Sequence, residues 1–158
     1  MLLRKVLSER TITIVDDSPD KWSLIRLLVD SVVRSGGGKD ADALYASVVD
    51  RERKVSTGLQ KGIAAPHART SGVEGLVAAL AICPDGVDFD SLDGRPSRLV
   101  FLVLSAPSES TRYLKALADV AAIGTNAALV DALAAAKSPA DAIRLIDEMG
   151  GNGVSNGM

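Results

Sequence analysis

Apolar residues recur every three or four positions in the first third of the chain, which is the spacing of an amphipathic helix. The pattern predicts a helix that begins at Pro19 with Ser18 as its N-cap and ends at the glycines 36–38. It predicts a second helix that Asp40 caps and that ends in the charged run 50–54. The predicted inward faces are Trp22, Ile25, Leu28, Val29, Val32 and Val33 in the first helix, and Ala43, Leu44, Tyr45, Val48 and Val49 in the second.

Two continuous apolar runs, 76–83 and 99–105, predict strands that are covered on both faces. Turn residues separate them, with Pro84-Asp85-Gly86 after the first run and Asp93-Gly94-Arg95-Pro96 before the second. Shorter extended segments are predicted at 11–15, 56–59 and 63–67. Three further helices are predicted at about 111–123, 126–136 and 139–149, the last one capped by Ser138.

These elements predict one α/β domain over residues 1–150, followed by a flexible C-terminal tail over 151–158. The apolar runs are far shorter than the ~20 residues that span a bilayer. The first ten residues also lack the features of a secretory signal. We therefore expect a cytoplasmic protein with no direct membrane insertion.

Composition excludes several functional classes. A net charge of -2, a pI near 5.4 and 3% aromatic residues argue against a nucleic-acid partner. One histidine and one cysteine are too few for most zinc sites and for an internal disulfide, so we expect no metal and no cofactor. The cysteine, Cys83, is predicted to end a buried strand rather than to act as a nucleophile.

The segment 51–69 concentrates the chemistry of the chain. It contains the only histidine, His67, and one acidic residue, Glu52, among five basic ones, which are Arg51, Arg53, Lys54, Lys61 and Arg69. Pro66 favours extended backbone at the residue before it, which keeps His67 out of a helix.

A neutral imidazole is a nucleophile near pH 7 when one ring nitrogen is free and the other is held by a hydrogen bond. Positive charge beside it would stabilise an incoming phosphoryl group. Arg51 offers a planar fork to phosphate oxygens, and Ser56 and Thr57 offer hydroxyl or backbone donors. The sequence has no acidic cluster near His67 that would indicate a magnesium site. This favours transfer of the phosphoryl group between protein side chains over transfer from ATP.

A structural interpretation stays open at this point. A single histidine in a small domain is more often a surface or structural residue than a catalyst. The basic residues are equally typical of a solvated helix end, where cations complement the helix dipole.

The segment resembles the signature of the enzyme IIA domain of the phosphotransferase system, of the fructose/mannitol and nitrogen-regulatory type. The matching residues are Arg51-Glu52, Ser56-Thr57-Gly58-Leu59, Gly62-Ile63-Ala64 and Pro66-His67-Ala68, and the similarity extends to Asp93-Gly94-Arg95-Pro96 and to the helix near Thr111. The resemblance implies an α/β sandwich in which a mixed sheet has helices on both faces.

The resemblance also implies site roles and partners. His67 would accept a phosphoryl group at Nε2 from the carrier HPr or a nitrogen-branch homologue, and Arg51 would lie beside that group. The family often has a second histidine where this chain has Tyr113, while Gln60 and Ala65 replace a turn glycine and a larger aliphatic residue. Tyr113 can donate one hydrogen bond to a phosphoryl oxygen but does not titrate near neutral pH.

Three functions follow from these features. The first is a regulatory phosphocarrier of the nitrogen-branch kind, because no IIB or membrane IIC segment is attached to the sequence. The second is a sugar-transport IIA that passes phosphate to a IIB cysteine. The third is a regulatory binding module that has lost efficient transfer, for which Tyr113 is the only sequence support. A metal-dependent hydrolase is disfavoured by the single histidine.

Overall fold

The computed structural model describes residues 1–150, and the predicted tail 151–158 lies outside them. The helices are α1 (Leu2–Val6), α2 (Lys21–Arg34), α3 (Ala41–Lys54), α4 (Ser110–Gly124), α5 (Ala127–Ala134) and α6 (Pro139–Leu145). The strands are β1 (Ile12–Ile14), β2 (Ile63–Ala64), β3 (His67–Arg69), β4 (Leu76–Val87) and β5 (Ser97–Ser105). Short 3₁₀ turns at Glu9–Thr11 and Pro107–Glu109 and a π-helical turn at Ile146–Gly150 complete the described chain.

The five strands form one mixed sheet around the long β4–β5 pair. β4 and β5 run antiparallel, with Leu80 opposite Phe101. β1 pairs in parallel with β4, and both β2 and β3 pair in parallel with the other edge of β5. His67 is opposite Val103, so it lies towards the C-terminal end of β5, shortly before α4 begins.

Helices cover both faces of this sheet. Alternate residues of β4, such as Leu80 and Ile82, join a core with residues of α1, α4, α5 and α6. Their neighbours Ala81 and Cys83 join a second core with α2 and α3. The predicted α/β sandwich and the prediction of two strands covered on both faces are therefore confirmed.

Helix boundaries follow the side chains that cap them. Asp40 and Ser138 accept hydrogen bonds from the backbone N–H groups of Ala43 and Asp141, at 3.1 Å each, as predicted. The prediction of Ser18 as N-cap of the first long helix is wrong. Asp20 caps α2 instead, because its carboxylate accepts from Ser23 N at 2.9 Å, and Pro19 lies outside the helix.

The inward face of α3 is narrower than predicted. Leu44, Val48 and Val49 are buried, but Ala43 is exposed. In α2 the predicted face is buried at Ile25, Leu28, Val29 and Val32 and half-buried at Trp22 and Val33.

Two segments differ from their predicted secondary structure. Pro84-Asp85-Gly86 is not a turn between strands, because β4 continues through it to Val87 with a shift in register after Ile82. Gly86 has a φ of +80° and packs against Pro96. The Pro96 ring is so close that it leaves no room for a side chain at position 86. The segment 56–59 forms only an isolated bridge between Gly58 and Ala64.

No single helix within residues 1–150 is long and apolar enough to cross a bilayer. The segment Pro107–Gly124 and α5 together reach that length and composition, but only as a pair bent by 90°. Both contribute buried side chains to the core described above.

Candidate active site

His67 is held with one ring nitrogen fixed. Its Nδ1 lies 2.7 Å from the backbone carbonyl oxygen of Ala65. A carbonyl oxygen only accepts, so Nδ1 carries a proton, and in the neutral ring the lone pair is on Nε2. Within residues 1–150 no hydrogen-bond partner occupies Nε2. In the neutral form of the ring, the distal nitrogen Nε2 is therefore available.

The surroundings of His67 favour the neutral form. Burial lowers its pKa below the ordinary 6.5, and the Arg51 guanidinium adds to this effect. The hydrogen bond to Ala65 and the Glu52 carboxylate act in the opposite direction without reversing it. At pH 7 the imidazole is thus present as the nucleophilic species.

His67 opens into a cavity of about 910 Å³, where α3, β3 and the start of α4 meet. We call it the His67 cavity. It is lined by Ser47, Asp50, Arg51, Lys54, His67, Ala68, Arg69, Pro107, Ser110, Tyr113 and Leu114. Three cations therefore surround the imidazole against one carboxylate, and the cavity has the charge to hold an anion.

The cations are presented by regular elements. Arg51 and Lys54 are three residues apart on α3, so they share one face at the C-terminal end of that helix. Arg69 follows His67 by two positions on β3 and points to the same side of the strand. Nη1 of Arg51 donates to Val55 O at 2.9 Å, and Nη1 of Arg69 donates to Ser110 Oγ at 2.7 Å, which leaves other N–H groups of both guanidiniums for a ligand.

Tyr113 packs edge-on against the imidazole. The ring centroids are 5.8 Å apart, with an angle of 64° between the planes. Burial raises the pKa of the phenol above its ordinary 10, although the charges of Arg51 and Arg69 partly oppose that rise. Tyr113 is therefore a neutral hydrogen-bond donor at the cavity wall at physiological pH.

A comparison with known proteins identifies the family. Residues 5–149 match the model for the phosphoenolpyruvate-dependent sugar phosphotransferase system, EIIA 2. The chain belongs to this EIIA family. Its members are components of a phosphotransferase system, and the resemblance seen in the motif around His67 is confirmed.

Relatives of this EIIA chain carry two kinds of name. The nitrogen regulatory protein of Pseudomonas aeruginosa is 34% identical over 116 residues, which are 73% of this chain and 75% of that protein. The fructose-specific EIIABC component of the PTS system from Bacillus subtilis is 34% identical over 117 residues, which are 74% of this chain. The match covers only 18% of that longer protein.

A solved structure shows the same fold. The nitrogen regulatory protein IIA-Ntr from Neisseria meningitidis superimposes with a TM-score of 0.83, over 92% of this chain and 99% of that one. The two sequences are 23% identical, so the likeness speaks for the fold alone.

The structure brings three of the predicted site residues of this EIIA chain together, namely His67, Arg51 and Tyr113. Ser56 and Thr57 do not line the His67 cavity. The Ser56 hydroxyl donates to Phe89 O, and the Thr57 hydroxyl donates to Glu52. The prediction that these two residues bind a phosphoryl group gains no support from these contacts.

The five basic residues of the motif are also divided between the His67 cavity and other parts of the fold. Arg53 lies over the Trp22 ring at 5.8 Å, and Lys61 lies in a loop where its backbone N–H donates to Asp93 at 2.9 Å. Neither lines the His67 cavity. The sequence predicted Lys54 and Arg69 only as two of five basic residues near His67, although helical and strand spacing from Arg51 and His67 would have indicated that these two face the site.

Metal-binding geometry is absent from the part of the chain that the structure describes. Within residues 1–150 no three His, Cys, Asp or Glu side chains are grouped so that they could hold an ion. The Cys83 thiol is buried, and burial, with a smaller effect from Asp17, raises its pKa to about 12. That thiol is therefore not an activated nucleophile.

Proposed function

We propose that the chain is a phosphocarrier that accepts a phosphoryl group on Nε2 of His67 from an HPr-like donor, or its nitrogen-branch homologue, in the cytoplasm. One observation carries this proposal. Nδ1–H donates to Ala65 O, so Nε2 is the nucleophilic nitrogen. His67 lines a cavity that three cationic side chains also line. A phosphoryl group brings about two negative charges, which such a cavity would hold.

The step needs no metal and no base. The Nε2 lone pair forms a bond to the donor's phosphorus while the bond from phosphorus to the donor's nitrogen breaks and its electron pair returns to the donor. Nδ1–H keeps its hydrogen bond to Ala65 throughout. Arg51 would stabilise the equatorial phosphoryl oxygens, and Tyr113 would donate one hydrogen bond to them.

We infer a regulatory role of the nitrogen-branch kind. The nitrogen regulatory protein of Pseudomonas aeruginosa, which is 34% identical to this chain over 116 residues, supports this role. The second candidate is a sugar-transport IIA that passes the phosphoryl group to a IIB cysteine, and the fructose-specific relative supports it. In the regulatory case the partner is a target protein rather than a IIB domain.

Labelled phosphoenolpyruvate, enzyme I and HPr provide the test of phosphoryl acceptance. The wild-type chain should gain acid-labile label, and the His67→Ala variant should gain none. The nitrogen-branch homologues of enzyme I and HPr are tested in parallel, so that a failure caused by the wrong donor protein is recognised. If the wild-type chain stays unlabelled with both donor pairs, the phosphocarrier proposal is refuted and a binding module without transfer remains.

The choice between the two roles needs an acceptor assay. The labelled chain is mixed with a IIB protein, and the label on the IIB cysteine is followed. Rapid transfer favours sugar transport, whereas a stable phosphorylated chain that binds a target protein in one phosphorylation state only favours regulation.

A further inference from the structure

A buried ion pair lies behind the His67 cavity. Lys21 begins α2, and Glu52 is in the last turn of α3. Nζ of Lys21 is 2.8 Å from a carboxylate oxygen of Glu52, and the two side chains are 9% and 1% exposed. The ammonium also lies over the rings of Trp22 and Phe89, at 5.1 and 5.3 Å. The exposed Asp90 carboxylate is a second, longer ion-pair partner of Lys21 at 3.5 Å, and neither Lys21 nor Glu52 lines the His67 cavity.

Glu52 holds the irregular segment that follows α3. Its two carboxylate oxygens accept from the backbone N–H of Thr57 at 2.9 Å and from the Thr57 hydroxyl. The segment from Val55 to Gly62 has no strand or helix to fix its path, apart from the bridge at Gly58. The Glu52 carboxylate is therefore the main polar anchor for Thr57.

From Thr57 the hydrogen bonds continue to the imidazole. The backbone N–H of Ala65 donates to Thr57 O at 3.0 Å. The carbonyl of Ala65 in turn accepts Nδ1–H of His67 at 2.7 Å. Three successive contacts therefore connect Glu52 to His67, through Thr57 and Ala65.

We propose that Glu52, neutralised by Lys21, is a positioning residue that fixes the tautomer and orientation of His67 through this chain of hydrogen bonds. The inference rests on the proposed function, since positioning matters for phosphoryl acceptance at Nε2. The physical reason is that an imidazole held by one carbonyl is only as well placed as the backbone that carries the carbonyl. Displacement of a reacting group by a fraction of an ångström to 1 Å slows a transfer by about 10- to 100-fold.

Two double variants separate positioning from simple stability. Lys21→Met/Glu52→Met replaces the buried pair by apolar side chains of similar size, which is often close to neutral for stability, but it leaves Thr57 N–H without its acceptor. Lys21→Met/Glu52→Gln removes the same charges and keeps an acceptor for Thr57. The two proteins differ only at position 52, where glutamine offers Thr57 an amide oxygen and methionine offers none.

The lone histidine makes the first readout unambiguous. The ¹⁵N resonances of the imidazole report which ring nitrogen carries the proton, and the chain has one imidazole. We expect the wild type to be protonated at Nδ1, the Met/Met variant to show a mixture of both tautomers, and the Met/Gln variant to return towards the wild-type spectrum. The second readout is the rate of phosphorylation, which should fall about tenfold in the Met/Met variant and recover most of that loss in the Met/Gln variant.

Asp119→Asn is the matched control. Asp119 is another buried carboxylate that accepts a backbone N–H, that of Leu3 at 3.0 Å, but its contacts do not lead to His67. The Asp119→Asn substitution should leave the ¹⁵N spectrum of the imidazole unchanged. If the Met/Met variant does not fold, Lys21→Met/Glu52→Leu takes its place, because leucine at position 52 likewise offers no acceptor to the Thr57 N–H and hydroxyl.

The outcomes are distinct from those of the proposed function. A folded Met/Met variant, or the Lys21→Met/Glu52→Leu variant in its place, whose imidazole spectrum equals that of the wild type overturns the inference. The same holds when the Met/Gln variant is perturbed as strongly as the Met/Met variant, because the acceptor would then be irrelevant. A wild type that accepts no phosphoryl group refutes the proposed function, while the spectra still decide whether Glu52 positions His67.

Discussion

Replacement of Arg51 by alanine tests the electrostatic role of the His67 cavity. The side chain lines the cavity, and its only hydrogen bond within residues 1–150 is the one to Val55 O at 2.9 Å. A hydrogen bond to a charged group contributes about 1.5–3 kcal/mol. If Arg51 makes such a bond to the phosphoryl oxygens in the transition state, its loss slows phosphorylation by about 10- to 150-fold.

Stability should change far less than rate. The bond to Val55 is exposed, and because water competes for the guanidinium charge there, it contributes at most about 1 kcal/mol. The variant should therefore unfold cooperatively at a slightly lower temperature than the wild type. Arg51→Lys keeps the charge without the planar fork, so its rate should be intermediate.

The assay is the initial rate of label transfer from phosphorylated HPr, with thermal unfolding measured on the same samples. Arg53→Ala is the control, because Arg53 is on the same helix and packs over Trp22 instead of lining the cavity. A rate for Arg51→Ala within twofold of that for Arg53→Ala would show that the cavity cation does not act on the phosphoryl group.

Three further predictions concern Tyr113, His67 and Cys83. Tyr113→Phe keeps the edge contact with His67 and removes only the hydroxyl, so phosphorylation should slow about two- to tenfold in the same assay, and an unchanged rate argues against a phenol–phosphoryl bond. Because burial and Arg51 lower the pKa of His67, an NMR titration of the imidazole should give a midpoint below 6.5, and a midpoint at or above that value contradicts the site electrostatics. As the pH falls through 6.5, the His67 imidazole takes up a proton in the unfolded chain but not yet in the folded chain, so acidification lowers the free energy of unfolding. His67→Ala should remove this part of the pH dependence of unfolding. Cys83, with its thiol pKa raised to about 12 by burial, should resist thiol reagents in the native protein and react once denaturant exposes it, and equal labelling in both states would contradict its burial.

The separation of Arg51 from Glu52 shows how a motif divides on folding. The two residues are consecutive on α3, and consecutive helix positions point about 100° apart. One side chain therefore lines the cavity, while the other enters the core and meets Lys21. The sequence presents them as a charged pair, but folding assigns them to different environments.

Competition between similar side chains explains the incorrect helix start. Ser18 and Asp20 are both good N-caps, and Pro19 is acceptable at the first helical position, so local rules favoured Ser18. In the structure Lys21 is the first residue of α2 and its ammonium pairs with Glu52, a partner that a local capping rule does not include.

Long apolar patterns were sufficient to determine much of this protein from its sequence. The apolar runs of β4 and β5 and the three-and-four spacing of α2 and α3 gave the α/β class, because burial of many apolar residues outweighs local exceptions. The motif around His67 likewise indicated the family, since several residue types had to match at fixed spacing.

Only the tertiary structure decided which polar groups of that motif face the imidazole. It brought Arg69 and Lys54 into the His67 cavity and directed Thr57 to Glu52. Those choices depend on which elements pack beside β3 and on where each buried donor finds an acceptor. The Lys21–Glu52 pair and the Arg69–Ser110 hydrogen bond join residues 31 and 41 positions apart in the chain, so no local pattern of the sequence contains them.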